Sequence, residues 1–165
     1  MSDAERERLF LENAAVAAAG THSVSDSDAL PAVLGRVVGR DSPVYCPGVT
    51  PIERAAAALF PNRVSDYAAA TATVEEVFGA IAETGTLVCS SEGGRAVQAG
   101  LLPAHHVAIV RRDRIFDTLD DFFAAVSGAP PTNITLVTGP SRTADIELTL
   151  AIGVNGPEKL DIILV

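Results

Sequence analysis

The sequence has no tryptophan, one methionine and a single lysine, Lys159. Aromatic residues fill only 5% of its 165 positions. Basic charge is scarce as well: 12 lysines and arginines face 21 aspartates and glutamates, for a formal charge of −9. Nucleic acid and anionic membrane both call for a basic footprint, so neither is expected as a partner. Apolar runs are short and interrupted, which excludes a spanning helix. The opening MSDAERERLF is charged and lacks the basic-then-apolar order of a secretion signal, so a cytoplasmic location is expected. Cysteine is limited to Cys46 and Cys89, far apart and without a C-x-x-C pair. That spacing builds no zinc or iron–sulfur site, and two reduced thiols are expected in a reducing compartment. The sequence has no G-x-G-x-x-G, no P-loop and no G-x-S-x-G, so no cofactor is expected.

What is present suits a folded α/β domain. Hydrophobic residues make up 48% of the chain and charged residues 20%, enough for a core in one domain of this length. Residues 3 to 19 read as a helix with acids in its first turns and Gly20 as its stop. THSVSDSD, 21 to 28, reads as a polar linker, and DALPAVLGRVVG as a poor helix broken by Pro31 and Gly35. SPVYC is a candidate strand. Thr50, Pro51 and Glu53 then announce a helix: a cap, a proline at the first helical position and a capping-box acid. That helix is expected to run to Pro61, followed by a short strand at RVSDY. VEEVF is helical in type, and AIAETGTLVCSS reads as two strands around a turn at Thr84 and Gly85. EGGRAVQAGLL suggests a glycine-rich helix entry, HHVAIVR a buried strand, and TLDDFFAAVSG a helix capped by Thr118. NITLVTG and LDIILV are strands. The alternation implies a layered domain with a largely parallel sheet flanked by helices. Ligands of such sheets bind beyond the strands' carboxyl ends, so the loops after Cys46, Val110 and Val137 are placed on one candidate face.

Three stretches carry chemistry. TGPSRTADIELTL, from Thr138 to Leu150, packs hydroxyls, an arginine and two acids behind a strand. Gly139 permits a tight turn, Ser141 or Thr143 can cap a helix, and Arg142 adds a fixed charge beside free amides. Asp145 and Glu147 are candidate acid/base groups. The same residues also fit a loop with a cap and an arginine–acid pair, and IELTLAIGV alternates like a strand. AETGTL sets Glu83 beside Thr84, Gly85 and Thr86, which suits a ligand loop or a plain hairpin turn. SSEGGR, ending at Arg95, offers an anion cradle without P-loop spacing. His105 and His106 alternate faces at a strand start, so no metal site is expected there. GVNGP reads as a turn at Asn155 and Gly156.

AIAETGTLV, LLPAHHVAIV, TGPSRTADIELTLAIGVNGP and LDIILV stand in an order and spacing that resembles the LUD domain of the lactate-utilisation protein C family. The resemblance covers residues 43 to 165, with 1 to 42 as an N-terminal helical segment and linker. It implies an α/β fold of the NagB/RpiA/CoA-transferase-like type. It implies a part in oxidising L-lactate to pyruvate alongside iron–sulfur partner proteins, with no cluster on this chain. It directs attention to Glu83, Asp145 and Glu147 as catalytic candidates. Thr84, Gly85, Thr86, Gly139, Ser141, Arg142, Thr143 and Asn155 are the candidate residues for a small carboxylate or phosphate-bearing ligand. Asn155 stands where family members commonly carry histidine, and those members often have a longer helical segment before the first strand. Two other roles stay open: a non-catalytic subunit docking on an iron–sulfur oxidoreductase, and, by fold analogy alone, a CoA- or sugar-phosphate-type enzyme. Homo-oligomerisation is open too.

Overall fold

The computed structural model describes residues 1–143, 151–152 and 156–165. Helix α1, Asp3–Val16, starts with a capping box between Ser2 and Glu5. It ends at Ala17, earlier than expected, and Gly20 opens a strand, β1, Gly20–Ser23. Gly20 is needed there because a Cβ would sit 2.1 Å from the Asp161 carboxylate. The expected linker therefore begins inside the sheet. Helix α2, Leu30–Val38, is unbroken. Pro31 lies in its first turn, where no amide hydrogen is required, and the buried Leu30, Val33 and Leu34 offset the cost of Gly35.

Strand β2, Val44–Tyr45, precedes α3, Pro51–Ala57, whose Thr50–Glu53 capping box forms as read. The helix stops short of Pro61, and RVSDY contributes only an isolated bridge from Arg63 to Val44. VEEVF is not helical. Ala72–Glu76 is β3, in the middle of the sheet, with Glu75 buried against His106. Strands β4, Gly79–Ile81, and β5, Thr86–Ser90, form the expected antiparallel hairpin. EGGRAVQAGLL gives two 3-10 turns rather than an α-helix, since Gly93 and Gly94 take φ of 73° and 79°. Strand β6, His105–Val110, is followed by β7, Ile115–Phe116, and by α4, Leu119–Val126, capped by Thr118. Then come β8, Ile134–Val137, β9, Arg142–Thr143, β10, Ala151–Ile152, and β11, Lys159–Leu164. At Arg142 and Thr143 the chain is strand, paired antiparallel with β10, rather than helix entry.

The central sheet is parallel throughout, in the order β1-β11-β6-β3-β2. Residues alternate across it. Val74, Val107, Ile109 and Ile163 pack with α2 and α3 residues such as Leu34 and Ala56. Ala108, Val110, Ile162 and Leu164 pack with α1 and with Ala80, Leu87 and Cys89 of a second sheet. That sheet, β7-β4-β5-β8, is mixed, and its outer face buries Ile81 and Val88 under Phe122 of α4. The result is a helix–sheet–sheet–helix stack, with the 1–42 segment contributing to both inner cores.

Candidate functional site

Two of the sequence motifs meet. Thr84 and Thr86 hydroxyls lie 2.7 Å apart, and Thr86 lies 2.7 Å from the Thr138 hydroxyl. The contact exists because β8 runs antiparallel to β5, bringing Thr138 level with the start of β5. Gly85 and Gly139 hold this cluster against α1: their φ values are 67° and 70°, and each approaches helix backbone too closely for a side chain. Ser141 donates its amide to Pro157 O at 2.9 Å and sits beside Gly156. The Glu83 carboxylate accepts the Leu119 amide of α4 at 3.0 Å. Arg142 and Thr143 lie in β9. Asp145, Glu147 and Asn155 fall outside the described residues.

The expected single face does not form. The loops after Cys46 and Val110 leave the carboxyl edge of the parallel sheet, whereas Val137 ends a strand of the second sheet. Strand β5 spans the difference: Ser90 lines a cleft with Glu76 at the carboxyl edge, and Thr86 lies four residues back, about 13 Å away.

That carboxyl-edge cleft has a volume of about 610 Å³. Its walls include Thr50, Glu76, Ser90, Arg95, Arg111 and Arg114. Arg95 is fixed by a bidentate pair with the fully buried Glu53, at 2.6 and 2.7 Å. Burial pushes the Glu53 carboxyl upward, but Arg95 and the Glu76 and Thr50 amides outweigh it and hold it below the ordinary range. Beyond Arg95, Glu75 lies 3.9 Å away and accepts a hydrogen bond at 2.9 Å from His106, whose buried Nδ1 has no partner among the described residues. Sequence spacing shows the Thr50–Glu53 cap but not the Arg95 half of this network, because 42 residues separate Glu53 from Arg95.

The two histidines face opposite ways, as their alternation predicts: His106 turns to Glu75 and His105 to Asp161. Asp161 also meets His22, with His105 and His22 at 2.7 and 2.9 Å on its two oxygens. Burial raises the Asp161 carboxyl, but these rings and Lys159 overcome it and lower it from 3.8 to about 2. A depressed carboxyl stabilises the fold above its unfolded value near 3.8, and this contribution fades as pH falls through about 2. Asp161→Asn is therefore expected to cost about 2 kcal/mol at pH 6. In urea titrations the gap to the parent chain should close between pH 4 and pH 2; a gap that stays constant would refute the assignment. Both cysteines are free, and burial raises both thiols, Cys46 to about 11.

The LUD domain family model matches residues 65–165. The chain belongs to the LUD domain family. Lactate utilization protein C of Macrococcus caseolyticus is 37% identical over 91 residues, covering 52% of this LUD chain and 39% of the relative. The Deinococcus radiodurans protein of the same name is 38% identical over 94 residues, covering 52% and 42%. That of Shouchella clausii is 31% identical over 124 residues, covering 69% and 54%. The LUD chain thus spans roughly half the length of the curated relatives it matches. A crystal structure of a DUF162 family protein from Deinococcus radiodurans superposes with a TM-score of 0.76 at 24% identity, covering 100% of this chain and 99% of that one. This likeness establishes the α/β fold. Among the described residues no helix is long and apolar enough to cross a membrane.

Proposed function

We propose that this LUD domain acts as a lactate-utilisation protein C-like component in the oxidation of L-lactate to pyruvate. That reaction releases two electrons and two protons, and the electrons pass to iron–sulfur partner proteins. The domain holds a small carboxylate or phosphate anion at the loop from Thr138 to Glu147. Arg142 is the anchor, since the Ser141 amide is already committed to Pro157. Thr143 and Asn155 orient the ligand. Glu83, Asp145 and Glu147 are the groups available for proton transfer.

The observation that supports this reading is the hydroxyl chain Thr84–Thr86–Thr138. It ties the AETGT and TGPSRTADIE motifs into one locus, fixed on α1 by Gly85 and Gly139. Three hydroxyls joined by two hydrogen bonds leave one O–H donor and the remaining lone pairs to meet a ligand. Arg142→Ala should abolish binding of pyruvate or inorganic phosphate in calorimetric titration while leaving the melting temperature unchanged. Unaltered affinity in that variant would remove Arg142 from the site. Co-purification of the chain with iron–sulfur proteins, combined with no turnover of L-lactate by any mixture containing it, would favour a docking role instead.

A further inference from the structure

The carboxyl-edge cleft holds an arginine whose setting differs from that of its neighbours. Arg95 is spent on Glu53, and Arg111 is paired with Asp113 at 2.8 Å. Arg114 has neither kind of partner. Its Nε donates to the Phe78 carbonyl at 3.1 Å, and its guanidinium lies 4.5 Å over the Phe78 ring and 6.0 Å from that of Phe116. These contacts fix the plane of the group and use one of its five N–H donors. Its two terminal amino groups have no acceptor among the described residues. The residue lines the main cleft and also a neighbouring hollow of about 450 Å³, with Phe78 and Glu92 shared between them. A guanidinium held flat by a ring, with its outer edge open to a cleft, is organised in advance for a planar two-oxygen anion.

The other walls narrow the choice. Glu76 and Glu92 line the same cleft, and neither side chain has a cationic partner within 4 Å among the described residues. Two unpaired carboxylates repel a dianion. They favour a monoanion that also offers a hydrogen-bond donor, a hydroxyl or an ammonium. Ile52, Val77 and Phe78 supply an apolar wall for a short carbon body. The geometry points to a second ligand site, at the carboxyl edge of the parallel sheet, for a small monocarboxylate bearing a hydroxyl or ammonium group. In it Arg114 grips the carboxylate and Glu76 accepts from the donor. This site stands apart from the loop at Arg142 and does not rest on it.

Three probes with one carbon skeleton test the inference on the full chain: L-lactate, L-alanine and propionate, with inorganic phosphate as a fourth. Backbone amide shifts of Val77, Phe78, Ser90 and Arg114 report occupancy. L-lactate or L-alanine should move these amides saturably, with propionate and phosphate weaker. Arg114→Gln should weaken the better probe about tenfold or more, and Arg114→Lys, which keeps the charge without the fork, nearly as much. Glu76→Gln should erase the preference for that probe over propionate. Arg142→Gln should leave all of these shifts in place. The assignment is overturned if neither donor-bearing probe moves these amides, if Arg114→Gln leaves the midpoint unchanged, or if phosphate binds more tightly than both. Loss of the shifts in Arg142→Gln but not in Arg114→Gln would overturn it while leaving the loop site standing.

Discussion

Glu53→Ala is expected to cost about 3–5 kcal/mol of folding free energy, the loss typical of breaking a buried ion pair from one side. The reason lies in how many groups converge on one carboxylate. Oε1 accepts from the amides of Val49 and Thr50 and from Arg95 Nη2; Oε2 accepts from the Glu76 amide and Arg95 Nη1. Three segments are therefore joined at a fully buried point: the start of α3, the end of β3 and the loop carrying Arg95. Alanine leaves a guanidinium with only 9% of its side chain exposed, and three amides, without their acceptor. Urea titration should show a lower midpoint at an unchanged slope. Glu53→Gln should fall between, since its amide group keeps one acceptor oxygen but turns two donors toward Arg95. Replacing both partners, Glu53→Met with Arg95→Met, should recover much of the loss, because no unpaired charge stays buried. The pH dependence has a definite sign. The carboxyl is lowered from 4.5, so its contribution is complete above that value and disappears in acid. A loss under 1 kcal/mol in Glu53→Ala would mean that this junction does not hold the carboxyl edge together.

Half of that junction is legible in the sequence. Thr50, Pro51 and Glu53 announce a capped helix because capping chemistry is local, and Thr118 does the same for α4. The hairpin at Thr84 and Gly85 and the buried strands β6 and β11 are likewise written in nearest neighbours. What escapes is decided at long range. VEEVF reads as helix because glutamate favours helices; it is a strand because His106, 31 residues on, partners Glu75, and the Glu76 amide reaches Glu53. Pro31 looks like a breaker until its place in a first turn is known. Gly20 looks like a stop until Asp161 is seen occupying the space a side chain would need. The aliphatic run of NITLVTG identifies β8 as a strand but is silent on which sheet it joins, and that choice carries Thr138 away from the carboxyl edge. The Thr84–Thr86–Thr138 cluster rests on that same choice, and the setting of Arg114 over Phe78 has no sequence signal at all.

Gly139→Ala is expected to cost about 2–4 kcal/mol, from strain in the left-handed region together with overpacking. Gly139 has φ of 70°, and a Cβ there would stand 2.1 Å from the Ala17 carbonyl oxygen. A flexible side chain could swing aside, but this obstacle is backbone. Ala17 caps α1, and Ala18 after it already takes a φ of 72° to turn the chain toward β1. Neither segment can yield without disturbing the buried residues Phe10 and Ala14 of α1. At this chain length the loss corresponds to a fall of roughly 5–15 °C in melting temperature. Gly48→Ala is the matched control: its φ is 66° but nothing lies within 4 Å of an added Cβ, so it should cost only the left-handed strain, about 1–2 kcal/mol. The two variants together separate the intrinsic effect of glycine replacement from the close approach. The same substitution also bears on function. Displacing Gly139 pulls Thr138 from Thr86 at one end and shifts the entry to Arg142 at the other, so ligand affinity at the loop should fall along with stability. Binding of L-lactate or L-alanine at the Arg114 cleft should persist at temperatures where the variant remains folded. A Gly139→Ala chain that melts within a degree of the parent would show that the loop is not seated on α1.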